Sequence, residues 1–128
     1  MHAVITFSSL PLWLGAVLSD WAYARTDQVQ WTNFAAWLIA GGMMVAGIAL
    51  LWALVAAAAG RLRGSRPWPY LALLVTTLVL GFLNALVHAR DAWAAMPTGL
   101  VLSAAVLLVA LVASALGLRA LRRGGATA

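Results

Sequence analysis

The chain has 128 residues, of which 65% are hydrophobic and 9% are charged. Soluble domains are about half apolar and about a quarter charged, so this composition excludes a water-facing globule and favours lipid as the surrounding solvent. The chain has no cysteine, which excludes disulfides and thiolate metal sites, and its net charge of +5 comes from arginines beside apolar spans, a pattern of membrane orientation rather than of nucleic-acid binding.

Four stretches of the chain are long enough to cross a bilayer, which takes roughly 20 apolar residues per helix. They run from about 3 to 22, 34 to 59, 70 to 89 and 98 to 118, and short polar segments separate them. The stretches lack the period-2 alternation of a membrane barrel. We therefore predict an all-α integral membrane four-helix bundle, made of two tandem helical hairpins in a single transmembrane domain over residues 1–128.

The charged residues predict how the bundle is oriented. With four spans, the second connection and the C-terminal tail share one side and carry six arginines and no acid, namely Arg61, Arg63, Arg66, Arg119, Arg122 and Arg123. The other side has Arg25 and Arg90, offset by Asp27 and Asp91. Because positive residues mark the cytoplasm, we predict that both termini are cytoplasmic.

A cleaved signal peptide is the alternative interpretation of the first span. The run Ala22-Tyr23-Ala24 resembles a small-x-small cleavage site. However, no basic residue precedes the apolar run, and Asp20 and Trp21 stand just before that site. We therefore favour a first span that is retained.

Small residues and one proline predict how the helices pack. Gly42 and Ala46 form a small-xxx-small pair on the second span, of the kind that lets helices approach closely in lipid. Pro11 lies inside the first span, lacks a backbone donor and should kink that helix. The hydroxyls of Ser8 and Ser9 could bond the carbonyls that the kink frees.

Aromatic residues mark the predicted boundaries of the membrane, where tryptophan and tyrosine concentrate. Trp31 and Trp93 lie at the predicted outer boundary, and we take them as candidate docking residues for a partner. Trp13 lies in the middle of a span and breaks this pattern, and we interpret it as a packing residue.

Several polar residues meet at the predicted outer boundary and form the candidate site: Asp20, Asn84, His88, Arg90 and Asp91. Asn84 and His88 are four residues apart and so share a helix face. We expect Asp20 to lie close to one of them. Two interpretations stay open, a polar network that ties the two hairpins together and a proton or ligand site.

Haem is the cofactor to consider first, because helical bundles often bind it through histidine. The chain has only His2 and His88, at opposite ends of spans of about 20 residues, or roughly 30 Å apart in depth. One chain therefore cannot ligate one haem through both. A single-histidine site, or His88 pairing across a dimer, stays open. We find no metal-ligand set, catalytic motif or phosphate-binding loop, and so predict no metal, no resident cofactor and no enzyme.

Three segments resemble one bacterial membrane family, known only as domain of unknown function 2231. They are the runs from Pro11 to Tyr23, from Val29 to Gly42 and from Gly81 to Pro97. The resemblance covers almost the whole chain and implies a four-span protein of the bacterial inner membrane. It implies further that the native start lies upstream of Met1 or that a His-Pro-containing segment is missing here. The resemblance also implies a gene that lies next to genes of periplasmic quinoprotein sugar dehydrogenases. A periplasmic redox partner is therefore implied.

We therefore expect a non-enzymatic scaffold or accessory subunit for a membrane or periplasmic partner, with homo-oligomer formation left open. Its outer connections would form the docking surface, with the residues Arg25, Asp27, Trp31, Arg90, Asp91 and Trp93. A small transporter or channel component is one alternative, but the spans carry chiefly neutral hydroxyls near their middles, at Thr76, Thr77, Ser103 and Ser114. A haem- or quinone-binding redox subunit is the other.

Overall fold

The computed structural model describes residues 2–61, 68–90 and 92–125, and this part of the chain is helical with no strand. The helices in chain order are α1 His2–Ser8, α2 Leu10–Thr26, α3 Val29–Ala58, α4 Trp68–His88, α5 Ala92–Ala95 and α6 Thr98–Gly125. The predicted all-α class is confirmed.

Within the described residues, four segments are long and apolar enough to cross a membrane: Ala3–Thr26, Val29–Ala58, Trp68–His88 and Thr98–Ala120. This confirms the number of spans predicted from the sequence. The second span, α3, begins at Val29, ahead of the predicted start at 34. The polar residues Gln30, Thr32 and Asn33 continue this helix beyond its apolar segment. Between α2 and α3, Asp27 adopts a left-handed conformation (φ 55°) and its N–H donates to the Tyr23 carbonyl, which ends α2 sharply.

The first span is broken at Ser9 rather than smoothly kinked. Pro11 occupies the first turn of α2, where its missing N–H costs no helical hydrogen bond. The Ser8 hydroxyl donates to the Ile5 carbonyl at 2.7 Å, and the Ser9 hydroxyl donates to the Thr6 carbonyl at 2.6 Å. Pro11 itself is exposed, so it shapes the backbone of its own span and makes no buried contact with a neighbouring helix.

The four long helices form a closed ring. Helix α2 packs against α3 and α6, and α4 packs against the same two helices, while α1 lies on α3 and α6. The α2–α3 and α4–α6 pairs have the most extensive contacts, as expected of two hairpins. The turn between α2 and α3 and the segment between α4 and α6 lie at the same end of the ring, which we call the outer end after its predicted orientation.

The centre of the bundle is built around the indole of Trp13, which is fully buried. A β-carbon added at Gly42 of α3 would lie 2.8 Å from Cε2 of Trp13, and one added at Gly81 of α4 would lie 3.1 Å from Cη2 of the same ring. Ala46, one turn from Gly42, belongs to the same buried cluster. Glycine is therefore needed on two neighbouring helices to make room for one aromatic ring.

We predict that Gly42→Ala destabilises the bundle, because the added methyl group would overlap an indole that is enclosed on all sides. Overpacking of this kind costs about 1–3 kcal/mol. Gly47→Ala is the matched control, because a β-carbon at Gly47 of the same helix meets nothing within 4 Å. Unfolding of both variants in mixed micelles, followed by circular dichroism, tests this. Equal stability of the two variants would contradict the proposed packing role of Gly42.

Candidate functional site

Three helices bring polar side chains together in the outer half of the bundle. Asp20 comes from α2, Asn84 and His88 from the last turns of α4, and Ser103 from the second turn of α6. All four residues are buried. Asn84 and His88 lie on one face of α4 because they are four residues apart. We call these four residues the Asp20 network.

The imidazole of His88 is held on both of its nitrogens. Nε2 lies 2.7 Å from Oδ1 of Asp20, and Nδ1 lies 3.0 Å from the backbone carbonyl oxygen of Asn84. A carbonyl oxygen can only accept a hydrogen bond, so Nδ1 carries a hydrogen and donates it. The contact between Nε2 and Oδ1 therefore contains the one proton that the two ionisable side chains share.

The second oxygen of Asp20 is bound from α6. The Ser103 hydroxyl donates to Oδ2 of Asp20 at 2.5 Å, and Nδ2 of Asn84 donates to Oγ of Ser103 at 2.8 Å. In this series of hydrogen bonds, from Asn84 to Ser103 to Asp20, each donor points towards Asp20. This is the arrangement expected around a carboxylate, which only accepts, with His88 as the compensating imidazolium.

A glycine on α6 makes room for the histidine ring. A β-carbon at Gly99 would lie 2.8 Å from Cε1 of His88, closer than such atoms approach in real structures. Gly99 precedes Ser103 by one helical turn, so the same face of α6 seats the ring and supplies the hydroxyl group. The side chains of His88 and Asp20 are thereby only 1% and 0% exposed, respectively.

One acceptor of the Asp20 network has no partner. Oδ1 of Asn84 is buried and lacks a hydrogen bond to any described residue. The same holds for the indole nitrogen of Trp13 and for the hydroxyls of Thr32 and Ser114. Buried polar atoms are nearly always paired, so each such atom calls for a physical explanation.

Of the five residues predicted for the candidate site, the structure joins three. Asp20 bonds His88 directly and reaches the side chain of Asn84 through Ser103. Arg90 is exposed beyond the end of α4, and Asp91 lies outside the described residues. Of the two candidate docking residues, Trp31 is 41% exposed on the first turn of α3, and the side chain of Trp93 lies outside the described part.

Ser103 and Gly99 are the members of the site that sequence reasoning missed. Ser103 was predicted only as a neutral hydroxyl near the middle of a span, like Thr76 and Thr77, which bond the carbonyls of Ala72 and Leu73 in their own helix. Ser103 bonds Asp20 instead. The four-residue spacing of Gly99 and Ser103 was visible in the sequence. It did not single out these two residues, because other pairs of small residues on α6 have the same spacing.

The arrangement differs from a hydrolytic triad. In a triad the serine hydroxyl bonds the histidine, which activates it as a nucleophile. Here Ser103 bonds the carboxylate, and the histidine bonds the other oxygen of the same carboxylate. His88 would also have to give up its bond to Asp20 or to Asn84 before either nitrogen could ligate haem iron. Among the described residues, no three His, Cys, Asp or Glu side chains are grouped for metal binding.

A second buried polar contact lies near the other end of the bundle. The hydroxyls of Thr6 and Tyr70 are 2.7 Å apart and hydrogen-bonded. Gly117 of α6 packs against this contact, since a β-carbon there would lie 3.0 Å from the Tyr70 ring. Tyr70 therefore forms a contact between helices.

We predict that Ser103→Ala lowers the free energy of unfolding by about 1–3 kcal/mol, the usual cost of leaving a buried polar group without its partner. The variant removes the donor to Oδ2 of Asp20 and the acceptor of Asn84 together. Thr76→Ala is the control, since that hydroxyl is exposed and bonds only its own helix. Chemical unfolding in micelles measures both, and a Ser103 variant as stable as the Thr76 variant would contradict a stabilising network.

Comparison of the chain with curated proteins and with solved structures gives no significant match. A family model does match, and it spans residues 1–128. Its description is that of a predicted membrane protein, domain of unknown function 2231, which agrees with the four apolar helices found here. The family expected from the three sequence motifs is confirmed, and the chain belongs to the DUF2231 family of predicted membrane proteins.

Proposed function

We propose that this protein is a non-enzymatic accessory subunit of the bacterial inner membrane, which presents its outer end to a membrane or periplasmic partner. The observation that carries this proposal is the closure of the Asp20 network. Both oxygens of Asp20 and both ring nitrogens of His88 are used for bonds between or within helices. Each of these four atoms therefore already has a hydrogen-bond partner in the protein.

The closed network supports a structural role because lipid gives helices little hydrophobic reason to associate. Close packing and polar contacts between helices take over that task in a membrane. The bonds of Asp20 to His88 and to Ser103 join α2, in the first hairpin, to α4 and α6, in the second. A firmly joined bundle of this kind suits a scaffold.

The outer end offers a surface for a partner. An open cleft of about 340 Å³ lies at the start of α3 and is lined by Gln28, Gln30, Trp31 and Phe34. It combines two apolar rings with two amide side chains, a composition typical of protein interfaces, in which tryptophan often contributes much of the binding energy. Close by in the sequence, near the end of α2, the Arg25 guanidinium lies over the Trp21 ring, 5.7 Å from the ring centroid.

The charge pattern supports the proposed orientation, with both termini cytoplasmic. Arg61 and Arg119 are exposed at the end of the bundle opposite the outer end. The remaining arginines of that side, at 63, 66, 122 and 123, extend the same excess of positive charge in the sequence. Arginine in short connections is retained on the cytoplasmic side during insertion.

We predict that Trp31→Ala releases a co-purifying partner while the bundle stays folded, because the variant removes a ring of the cleft and no buried contact of the core. Trp37→Ala is the control, since Trp37 lies on the same helix and is 79% exposed but does not line the cleft. Gentle detergent extraction followed by native mass spectrometry measures both. A partner retained equally by both variants would contradict docking at the cleft.

We predict further that reporter fusions at the C-terminus and within residues 61–66 report the same, cytoplasmic side of the membrane. A fusion at the turn of residues 27 and 28 should report the opposite side. Alkaline phosphatase, active only outside the cytoplasm, and a fluorescent protein that folds inside it are suitable reporters. Opposite results for the tail and for residues 61–66 would contradict an even number of spans.

A proton-linked transporter component is the second candidate, and the buried Asp20–His88 pair is the observation that favours it. Ionisable groups at membrane depth often mark proton pathways. A continuous path would also need polar groups at the centre of the bundle, where the described residues place Trp13 against Gly42 and Gly81. Proton flux through liposomes that contain the protein distinguishes the two candidates, because a scaffold leaves the pH gradient intact.

A further inference from the structure

We infer that the Asp20 network is a proton-binding site, which takes up one further proton at Oδ2 of Asp20 when the outer side is acidified and reverses the hydrogen bonds of Ser103 and Asn84 as it does so. The site is defined by the three bonds that join Asp20 to His88, Asp20 to Ser103 and Ser103 to Asn84. This inference does not depend on the accessory role proposed above.

A proton is the ligand that this site can accept without rearrangement of the helices. The side chains of Asp20, Asn84 and Ser103 are fully buried, and their polar atoms lie within 2.5–2.8 Å of one another. A metal ion or an organic molecule would need space that these contacts already occupy. A proton needs only an acceptor, and a carboxylate is the strongest one present.

The unpartnered oxygen of Asn84 gives the extra proton a consequence that can be followed. A proton on Oδ2 turns Asp20 from an acceptor into a donor towards Oγ of Ser103. The hydroxyl hydrogen of Ser103 must then point elsewhere, and Asn84 is the residue already in contact with that oxygen. If the amide of Asn84 turns over, its Oδ1, which has no partner now, accepts the Ser103 hydroxyl.

The exchange balances in atoms and in hydrogen bonds. One proton comes from water, no electron moves, and the charge of the network rises by one. Before uptake, Asn84 donates to Ser103 and Ser103 donates to Asp20. After uptake, Asp20 donates to Ser103 and Ser103 donates to Asn84. His88 keeps both of its bonds, so the number of hydrogen bonds in the network is unchanged, and Nδ2 of Asn84 replaces Oδ1 as the atom without a partner.

The neighbouring helices bring no other charge to the site among the described residues. His88 faces Asp20 from α4, and Ser103, a neutral residue, faces it from α6. Helix α3 contains no ionisable residue, and α1 presents none whose side chain is described. On α2 itself, Tyr23 is buried one turn outward, and Arg25 lies over the Trp21 ring. Arg90, two residues beyond His88, is exposed, and Tyr70 and Arg119 belong to the far end.

The site is close to the outer surface and far from the inner one. His88 is the last residue of α4, and Asp20 precedes the end of α2 at Thr26 by six residues, or about 9 Å along the helix. Towards the centre, Asp20 is followed on its own face by Ala16 and Trp13, both fully buried. Protons therefore reach the network from the outer side.

Infrared spectroscopy of the protein in liposomes tests the inference, because a protonated carboxyl group has a carbonyl-stretch band that a carboxylate lacks. The chain has three acidic side chains, all aspartate, so the double variant Asp27→Gly/Asp91→Ser leaves Asp20 as the only one. Glycine suits position 27 because Asp27 has a left-handed backbone, with φ 55°. We expect a carboxyl band on acidification and a simultaneous change in a side-chain amide band.

Three comparisons assign these signals. Labelling aspartate with ¹³C should move the carboxyl band, which identifies it. Asn84→Leu should keep the carboxyl band and lose the amide change, which separates Asn84 from the other side-chain amides of the chain, those of Gln28, Gln30 and Asn33. Ser103→Ala should also keep the carboxyl band and lose the amide change, because the link between the two residues is gone.

Two results would overturn the inference. One is the absence of a carboxyl band at every pH at which circular dichroism still reports the native helix content. The other is a carboxyl band without a change in the amide band. If the double variant does not fold, the wild-type chain and the single variants Asp27→Gly and Asp91→Ser, each labelled with ¹³C at aspartate, give the same outcomes by difference.

Discussion

The buried carboxylate of Asp20 is the constraint on which the arrangement of the helices depends. A charge at membrane depth costs several kcal/mol unless it is paired and hydrogen-bonded. Asp20 meets this requirement by taking one donor from α4 and one from α6. Both bonds must form at once, so the rotation and the height of α2 are fixed against two helices of the other hairpin. Apolar packing alone would tolerate more than one such arrangement.

The same face of α2 also packs closely against neighbouring helices. Trp13 precedes Asp20 by seven residues, or about two turns, and fits against glycines on α3 and α4. Gly99 does the same for the ring of His88. The buried rings of Trp13 and His88 therefore each meet a glycine on a neighbouring helix. The polar bonds select which helices meet, and the glycines let them meet at close range.

The number of helices, their order and the closeness of Asp20 to Asn84 or His88 were predictable, because apolar length and four-residue spacing act locally and leave a clear pattern in the sequence. The part played by Ser103 was not. A serine in an apolar helix looks the same whether it bonds its own backbone, as the threonines at 76 and 77 do, or a carboxylate 83 residues away in sequence. The rotation of α6 decides between these, and contacts between distant parts of the chain set that rotation.

The Asp20 network can join the helices and also bind a proton. The closure that joins the helices also excludes every ligand larger than a proton. Since the chain of donors can reverse without losing a bond, uptake of a proton would change the charge of the outer half of the bundle and leave its packing in place. Charges act over longer distances in a low-dielectric interior than in water. A partner at the cleft beside Trp31 would thus contact the same surface before and after proton uptake. The electrostatic field at that surface would differ between the two states.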